Sequence, residues 1–250
     1  MDYNGKQVFY EYIKNNSKTL IIFIHGSGGD ASTWKNQMLA NNSHSVIALD
    51  LPSHGKSDRF EKLSLKLYVD VLKELIESLN YERIILCGHS LGGAVIQSYY
   101  FLYPMNLDAL ILISTGAKLR VSPAILESLK QDYETYLTYL KNVAFSKKTK
   151  DTIMNEYKDK SSLIGAEVTY QDFKICDNFN LFEKTHLIKA PSLIICGTDD
   201  KLTPVKYSQY FHSKMPNSTL VLIENAGHMV MLEKYKEVNE SIIKFVKSIE

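Results

Sequence analysis

The chain has 250 residues, of which 45% are hydrophobic and 23% are charged. These proportions are typical of a folded globular protein, and the length suits one large domain with a sizeable core. The formal net charge of +1 provides no broad basic surface, which argues against nucleic acid as a partner.

Targeting signals and metal motifs are not evident. The sequence has no basic region followed by an apolar stretch at its start and no apolar run of bilayer-spanning length, so we expect a cytoplasmic protein without a membrane span. Cys87, Cys176 and Cys196 lie far apart and lack the spacing of a metal site. Cys87 and Cys196 each end an apolar run, which predicts buried thiols in strands, whereas Cys176 has no interpretation.

Five short apolar runs rich in Ile, Leu and Val predict strands that are buried on both faces, and a sixth run follows near the C-terminus. Helical patterns lie between several of these runs, and their alternation predicts an α/β fold with a mostly parallel sheet flanked by helices. Residues 7–13 alternate less cleanly and predict antiparallel edge strands ahead of the parallel part. The predicted strands span 20–24, 46–49, 84–87, 110–113, 193–196 and 220–223.

Strand patterns are absent from 116–189, where polar helical patterns take over. Because the strand pattern resumes afterwards, we interpret 116–189 as a helical cap inserted into a core domain made of 1–115 and 190–250. The charge-rich run at 147–160 predicts a solvated helix face.

The clearest motif is Gly88-His89-Ser90-Leu91-Gly92, which lies between a predicted strand and a helical pattern at 94–103. Gly-x-Ser-x-Gly at a strand-to-helix turn is the pattern of a nucleophile elbow, whose serine takes a strained backbone conformation. The glycines two residues before and after the serine have no side chains that would collide in so tight a turn. The following helix directs its positive amino-terminal end at negative charge that develops beside the serine. Ser90 is therefore the candidate nucleophile.

A serine nucleophile needs a general base, and the base needs an acid that orients it. For an elbow serine, the acid and then the histidine follow on loops after later strands. Asp199 and Asp200 follow the strand at 193–196, and His228 follows the strand at 220–223. His228 is thus the candidate base, and the spacing alone leaves both aspartates open as the acid.

Structural explanations suffice for four other histidines. His212 falls within a predicted helix, His44 and His186 fall in predicted loops, and His89 is the variable residue of the elbow.

These motifs resemble those of the α/β-hydrolase family, from about residue 19 onwards. Members usually carry Gly-x-x-Asp, three residues and then Pro, and this pattern selects Asp200 over Asp199 in Gly197 to Pro204. Asp199 is then expected to be a loop residue.

The segment His25-Gly26-Ser27-Gly28-Gly29 resembles the family's His-Gly oxyanion loop. The resemblance implies that the backbone N–H groups of Ser27 and Leu91 bind the substrate oxyanion. Residues 50–57 resemble another family stretch, in which Gly usually stands where Ser53 is found here. We interpret that stretch as structural, with His54 as a hydrogen-bonded loop residue.

The resemblance implies a serine hydrolase that acts on a small acyl substrate, with a carboxylic ester as the default and no metal or organic cofactor. Serine at the elbow argues against dehalogenase and epoxide-hydrolase chemistry, whereas thioesters, lactones and carbon–carbon bonds stay open. Aromatic residues of the predicted cap are candidates for lining a pocket, although packing within the cap is the favoured interpretation for each. They are Tyr133, Tyr136, Tyr139, Phe179 and Phe182.

Two alternatives remain. The Gly26-x-Gly28 loop, with Asp50 after the next strand, also fits the dinucleotide fingerprint of an NAD(P)-binding Rossmann oxidoreductase, but that interpretation explains neither the elbow nor Asp200 and His228. The second alternative is a ligand receptor on the same fold that binds without turnover. The oligomeric state is not predicted.

Overall fold

A computed structural model describes residues 1–40, 43–104 and 107–250. Within these residues, each of the six predicted apolar runs lies inside one strand, with the observed ends extending by at most two residues. The strands are β1 (Asp2–Tyr3), β2 (Lys6–Gln7), β3 (Tyr10–Ile13), β4 (Thr19–Ile24), β5 (Ser45–Leu49), β6 (Arg83–His89), β7 (Ala109–Ile113), β8 (Ser192–Gly197) and β9 (Ser218–Ile223).

Seven strands form one sheet in the order β3-β5-β4-β6-β7-β8-β9. Only β3 runs antiparallel to its neighbour, and the other pairs are parallel, which confirms the predicted mostly parallel sheet. The prediction for 7–13 was partly wrong, because Gln7 belongs to a separate hairpin of β1 and β2. Asn4 and Gly5 form its turn with φ of 53° and 79°, the left-handed conformation that two-residue hairpin turns favour.

The helices are α1 (Lys35–Ala40), α2 (Leu65–Glu77), α3 (Leu91–Leu102), α4 (Pro123–Gln131), α5 (Tyr133–Ala144), α6 (Asp151–Ile164), α7 (Ala166–Asn178), α8 (Val205–Lys214), α9 (Val230–Glu233) and α10 (Tyr235–Ser248). Short 3-10 helices include Ala31–Trp34 and Phe182–Leu187. His186 therefore lies in a short helix rather than in the predicted loop. No helix of the described residues is long and apolar enough to cross a membrane.

The sheet separates two hydrophobic clusters. In β4, Leu20, Ile22 and Ile24 face one cluster, whereas Ile21 and Phe23 face the other, because successive side chains of a strand point to opposite faces. Helices α2, α3 and α8 cover the first face, and α1, α9 and α10 cover the second. Burial on both faces explains why β4 to β8 consist mostly of apolar residues. The predicted burial of the strand cysteines is also confirmed.

Between β7 and β8 the chain forms α4 to α7 instead of a single crossover helix. We call this connection, residues 114–191, the excursion. The two ends of this excursion meet, since Lys118 and Asn180 form an isolated antiparallel bridge and the N–H of Leu181 donates to the carbonyl of Ala117 at 2.7 Å. The division into a core (1–115 and 190–250) and a cap (116–189) stays a prediction.

The excursion is anchored to loops at the carboxyl edge of the sheet. The N–H of Met229 donates to the carbonyl of Ala144 at 3.1 Å, and the Ser146 hydroxyl donates to Asp199 at 2.5 Å. Since Asp199 and Met229 follow β8 and β9, helices α4 to α7 lie over the edge where those parallel strands end.

Candidate active site

Ser90 occupies the turn between β6 and α3 with φ of 51° and ψ of −114°, a left-handed conformation that non-glycine residues rarely adopt. Its amide donates to the carbonyl of Ile113 at 3.1 Å, which ties the turn to β7. A Cβ at Gly92 would lie 2.2 Å from the carbonyl oxygen of Ile24, and one at Gly88 would lie 2.4 Å from the backbone of Gly92. The sharp turn therefore requires glycine on both sides of Ser90.

His228 and Asp200 come together from the loops after β9 and β8. The Nδ1 atom of His228 lies 3.0 Å from Oδ2 and 3.1 Å from Oδ1 of Asp200. The carboxylate also accepts hydrogen bonds from the amides of Leu202 and Thr203 and from the Thr203 hydroxyl. Both His228 and Asp200 are 5% exposed. This geometry fixes the imidazole with Nδ1 on the carboxylate, which leaves Nε2 for a reacting group.

The charge of Asp200 follows from these contacts. Burial on its own raises the pKa of this carboxyl group, but the facing His228 ring and the hydrogen bonds from His228 and Thr203 more than offset that effect. The pKa of Asp200 is consequently lowered, and the group is a carboxylate at neutral pH.

Ser90 and His228 line one cavity of about 70 Å³. The Ser90 hydroxyl makes no hydrogen bond to any residue within 1–40, 43–104 or 107–250, so none joins it to the His228 ring. Hydrogen bonds of this kind are commonly long before a substrate is bound. The apolar part of the wall includes Leu119, Val121, Ile125, Leu140, Tyr157, Phe173 and Leu202.

The amides of Ser27 and Leu91 are available as donors, since no described residue accepts a hydrogen bond from either of them. Ser27 lines the cavity beside Ser90. Leu91 is the first residue of α3, where an amide has no partner within its own helix and the helix dipole is positive. The Leu91 side chain is buried in the core and contributes nothing to the cavity wall.

His89 is a functional candidate that the sequence did not reveal. Its Nε2 lies 3.0 Å from the carbonyl oxygen of His228, and the two ring centroids are 4.6 Å apart. Burial, followed by the neighbouring His228, lowers the pKa of His89 well below its usual value. A neutral ring that donates from Nε2 to the His228 carbonyl holds that residue in place. No pattern in the sequence marks the variable elbow position for this task.

Asp172 of α7 is a second residue that the sequence analysis missed. It is fully buried and accepts hydrogen bonds from the amide of Gly28 at 3.1 Å, from His54 Nε2 at 2.9 Å and from the Tyr68 hydroxyl at 2.7 Å. Gly28 follows Ser27 directly. A helix of the excursion therefore holds the loop that carries the Ser27 amide.

His54 is a hydrogen-bonded loop residue, as predicted, and its partner is the Asp172 carboxylate. Its Nδ1 faces the carbonyl oxygen of Pro52 at 3.0 Å, so both ring nitrogens face acceptors and the protonated ring satisfies both. Burial opposes the charged form, but the Asp172 carboxylate outweighs it, and the pKa of His54 is raised. The pair is a buried ion pair with no exposed side-chain surface.

Asp50 stabilises the backbone of neighbouring loops by accepting hydrogen bonds from their amides. Its carboxylate accepts hydrogen bonds from the amides of Ala31 at 2.6 Å and Lys56 at 2.8 Å, and the residue is 2% exposed. An acidic residue that binds a ribose must face a ligand instead. The dinucleotide interpretation of Asp50 and the Gly26-x-Gly28 loop is therefore wrong.

The aromatic candidates of the excursion do not line the cavity with Ser90. Tyr133 and Tyr136 stack on each other at 5.7 Å, and Phe179 packs in the core. Tyr139 and Phe182 are 47% and 43% exposed. Packing is thus the correct interpretation for the buried members. Within the described residues, no group of three or more His, Cys, Asp or Glu side chains is placed to hold a metal ion.

Comparison with known proteins identifies the family. Residues 21–241 match the model of the alpha/beta hydrolase family, so the chain belongs to that family and is a hydrolase. It is 26% identical to the uncharacterized hydrolase YugF of Bacillus subtilis (strain 168), over 98% of this chain and 96% of that protein.

Solved structures of other proteins have the same fold as this chain. The structure of a thermophilic esterase is 37% identical in sequence, with a TM-score of 0.89, and the match covers 100% of this chain and 96% of that one. An esterase from Exiguobacterium antarcticum has a TM-score of 0.91 at 20% identity, covering 98% and 97% of the two chains. The second likeness concerns the fold alone.

Proposed function

We propose that this hydrolase cleaves small carboxylic esters through an acyl-enzyme formed on Ser90. The observation that carries the proposal is that Ser90 and His228 face one cavity, while Asp200 binds Nδ1 of the His228 ring. The 37% identity to a thermophilic esterase supports an ester as the substrate. A cavity of about 70 Å³ favours a short acyl group, because sites for larger ligands usually measure about 300 Å³ or more.

In the first half of the reaction, the Ser90 oxygen attacks the acyl carbon while His228 Nε2 takes its proton. The Asp200 carboxylate stabilises the imidazolium that forms and keeps Nδ1 protonated throughout. His228 then gives the proton to the leaving alcohol, and the acyl group stays on Ser90 as an ester.

The oxyanion of the tetrahedral intermediate accepts hydrogen bonds from the Ser27 and Leu91 amides. These donors need no reorganisation, because the start of α3 and the Asp172 contact to Gly28 fix the two segments in advance. In the second half, His228 activates a water molecule that attacks the acyl carbon. Carboxylic acid is released and Ser90 is regenerated.

The test is a panel of para-nitrophenyl esters of increasing acyl length, measured with the wild type and with Ser90→Ala. We expect kcat/KM to be highest for short acyl groups, since the cavity is small. Removal of the nucleophile should lower kcat on the order of a millionfold.

Ser248→Ala is the matched control, because Ser248 ends α10 on the surface and its hydroxyl donates to the Phe245 carbonyl, away from the candidate site. It should retain full activity. Wild-type turnover in Ser90→Ala would refute the proposal. Stoichiometric binding of esters without repeated turnover by the wild type would instead support the receptor alternative.

A further inference from the structure

A second cavity, of about 330 Å³, lies beside the candidate active site and shares Arg120 and Tyr207 with it. We call it the basic cavity. Its remaining wall consists of Ala117, Lys118, Phe182, Lys206 and Tyr210. These residues come from the start and end of the excursion and from α8, so the cavity lies where the excursion meets the core.

Among the described residues, three cationic side chains and no acidic side chain line the basic cavity. Lys118, Arg120 and Lys206 form no ion pair with any acidic residue in the described parts of the chain. Three unneutralised charges around one concave surface attract an anion.

Apart from Ala117, the rest of the wall is aromatic, and contacts hold its rings in place. The Phe182 and Tyr210 rings stack with centroids 4.1 Å apart, and the Tyr210 hydroxyl donates to the Phe182 carbonyl at 2.8 Å. The Tyr207 ring packs against Gly116, where a Cβ would lie 2.7 Å from Cδ2. The cavity therefore combines an apolar surface for a carbon chain with cations for a charged end.

We propose that the basic cavity binds a carboxylate at the far end of the ester substrate, so that the natural substrate is an anionic half-ester. This inference rests on the proposed function of Ser90. Arg120 suits the charged end because a guanidinium binds a carboxylate through two parallel hydrogen bonds, while the two lysines add positive charge.

The sizes of the two cavities support this arrangement. The cavity at Ser90 is too small for more than a short acyl segment, and the remainder of a longer substrate has to lie elsewhere. The basic cavity is larger and borders it at Arg120 and Tyr207. A substrate that spans this border places its ester at Ser90 and its charge among the cations.

The experiment compares kcat/KM for the mono-para-nitrophenyl esters of succinic, glutaric and adipic acid with that for uncharged esters of the same chain length. We expect wild type to prefer at least one anionic ester by about tenfold, the worth of one charge-assisted hydrogen bond. The preference should fall about tenfold in the triple variant Lys118→Gln, Arg120→Gln, Lys206→Gln. It should also fall with added salt in the wild type, because exposed charges are screened.

Lys244→Gln is the matched control, since Lys244 is exposed on α10, across the sheet from α8, and should leave the preference unchanged. An anionic-to-neutral ratio of one or less in the wild type, or a ratio that the triple variant retains, would overturn the inference. Both outcomes leave Ser90-dependent hydrolysis of neutral esters intact. Loss of the proposed function itself would show separately, as turnover that survives in Ser90→Ala.

Discussion

Asp200 is held by three hydrogen bonds besides its contact with His228. Two come from the amides of Leu202 and Thr203 and one from the Thr203 hydroxyl. Backbone donors cannot rotate away, so the carboxylate keeps one orientation and imposes it on the imidazole. Asp199, its neighbour in the sequence, instead accepts a hydrogen bond from Ser146.

We expect Asp200→Asn to lower kcat about ten-thousandfold, because an amide stabilises neither the imidazolium nor the required tautomer of His228. Ester hydrolysis at saturating substrate measures this effect. Asp199→Asn is the natural comparison and should lower kcat by less than about tenfold, since Asp199 does not touch the imidazole. Equal losses in both variants would contradict the assignment of Asp200 as the acid.

The sequence could predict those candidate site residues whose roles depend on local geometry. Ser90 sits at a turn that glycines permit, and such a turn is visible as a motif. His89 was missed because its role depends on the carbonyl of His228, 139 residues away. Asp172 was missed because a polar residue in a helical pattern is normally solvated.

Helix α7 contributes both to the core and to the candidate site. It buries Ile175 and Cys176 against the first hydrophobic cluster while Asp172 reaches the amide of Gly28. A shift of α7 therefore moves the loop that carries the Ser27 amide. The helix also brings Cys176 Sγ to 3.6 Å from the Ser27 hydroxyl, and burial raises the pKa of this thiol to about 12.

We expect Asp172→Asn to reduce the free energy of unfolding by about 3 kcal/mol, because it leaves the buried His54 without its counter-charge. The same variant should lower kcat for a neutral ester more than it raises KM, since we propose that the Ser27 amide binds the oxyanion of the transition state. Urea unfolding and steady-state kinetics measure the two effects. Asp177→Asn on the same helix is the control, as Asp177 is exposed.

The loss of stability should depend on pH. The pKa of His54 is raised in the folded protein, so the ion pair contributes fully below the unfolded value of about 6.5. Its contribution disappears as the pH rises through the folded pKa. The stability difference between wild type and Asp172→Asn should therefore shrink in alkaline solution. A difference that stays constant from acid to alkaline pH would show that charge plays no part.

The elements themselves differ in how far the sequence predicted them. Strands β4 to β8 were recognisable because burial on both faces demands an unbroken apolar run, and β9, a partly exposed edge strand, was recognisable from its own apolar run. The β1–β2 hairpin was missed, since its strands have only two residues each. Tyr157 and Phe173 line the cavity through tertiary packing of α6 and α7, which helical periodicity does not reveal.

Across the whole molecule, helices of the excursion belong to the same hydrophobic clusters as the sheet. Tyr136, Leu137 and Leu140 of α5 join the cluster on one face, and Ile175 of α7 joins the cluster on the other. The excursion thus has no core of its own to keep it folded when the sheet unfolds.

We expect a single cooperative unfolding transition, with coincident curves from far-ultraviolet circular dichroism and from tyrosine absorbance. Tyrosines occur both in the excursion, as with Tyr136, and in the sheet layers, as with Tyr68 and Tyr99, so the second probe reports on both parts. Two separated transitions would instead indicate that 116–189 is an independently stable domain.

The antiparallel bridge between Lys118 and Asn180 brings the two ends of the intervening segment together, so the chain leaves the core and returns to it at nearly the same place. Exchange of the chain between these two points would replace the helices over Ser90 while every strand kept its neighbours. Its replacement would need an acidic residue to meet Gly28, apolar side chains to complete the two hydrophobic clusters, and a chain of suitable length. Replacement of this one segment, by evolution or by protein engineering, would thus exchange one range of substrates for another without changing the sheet.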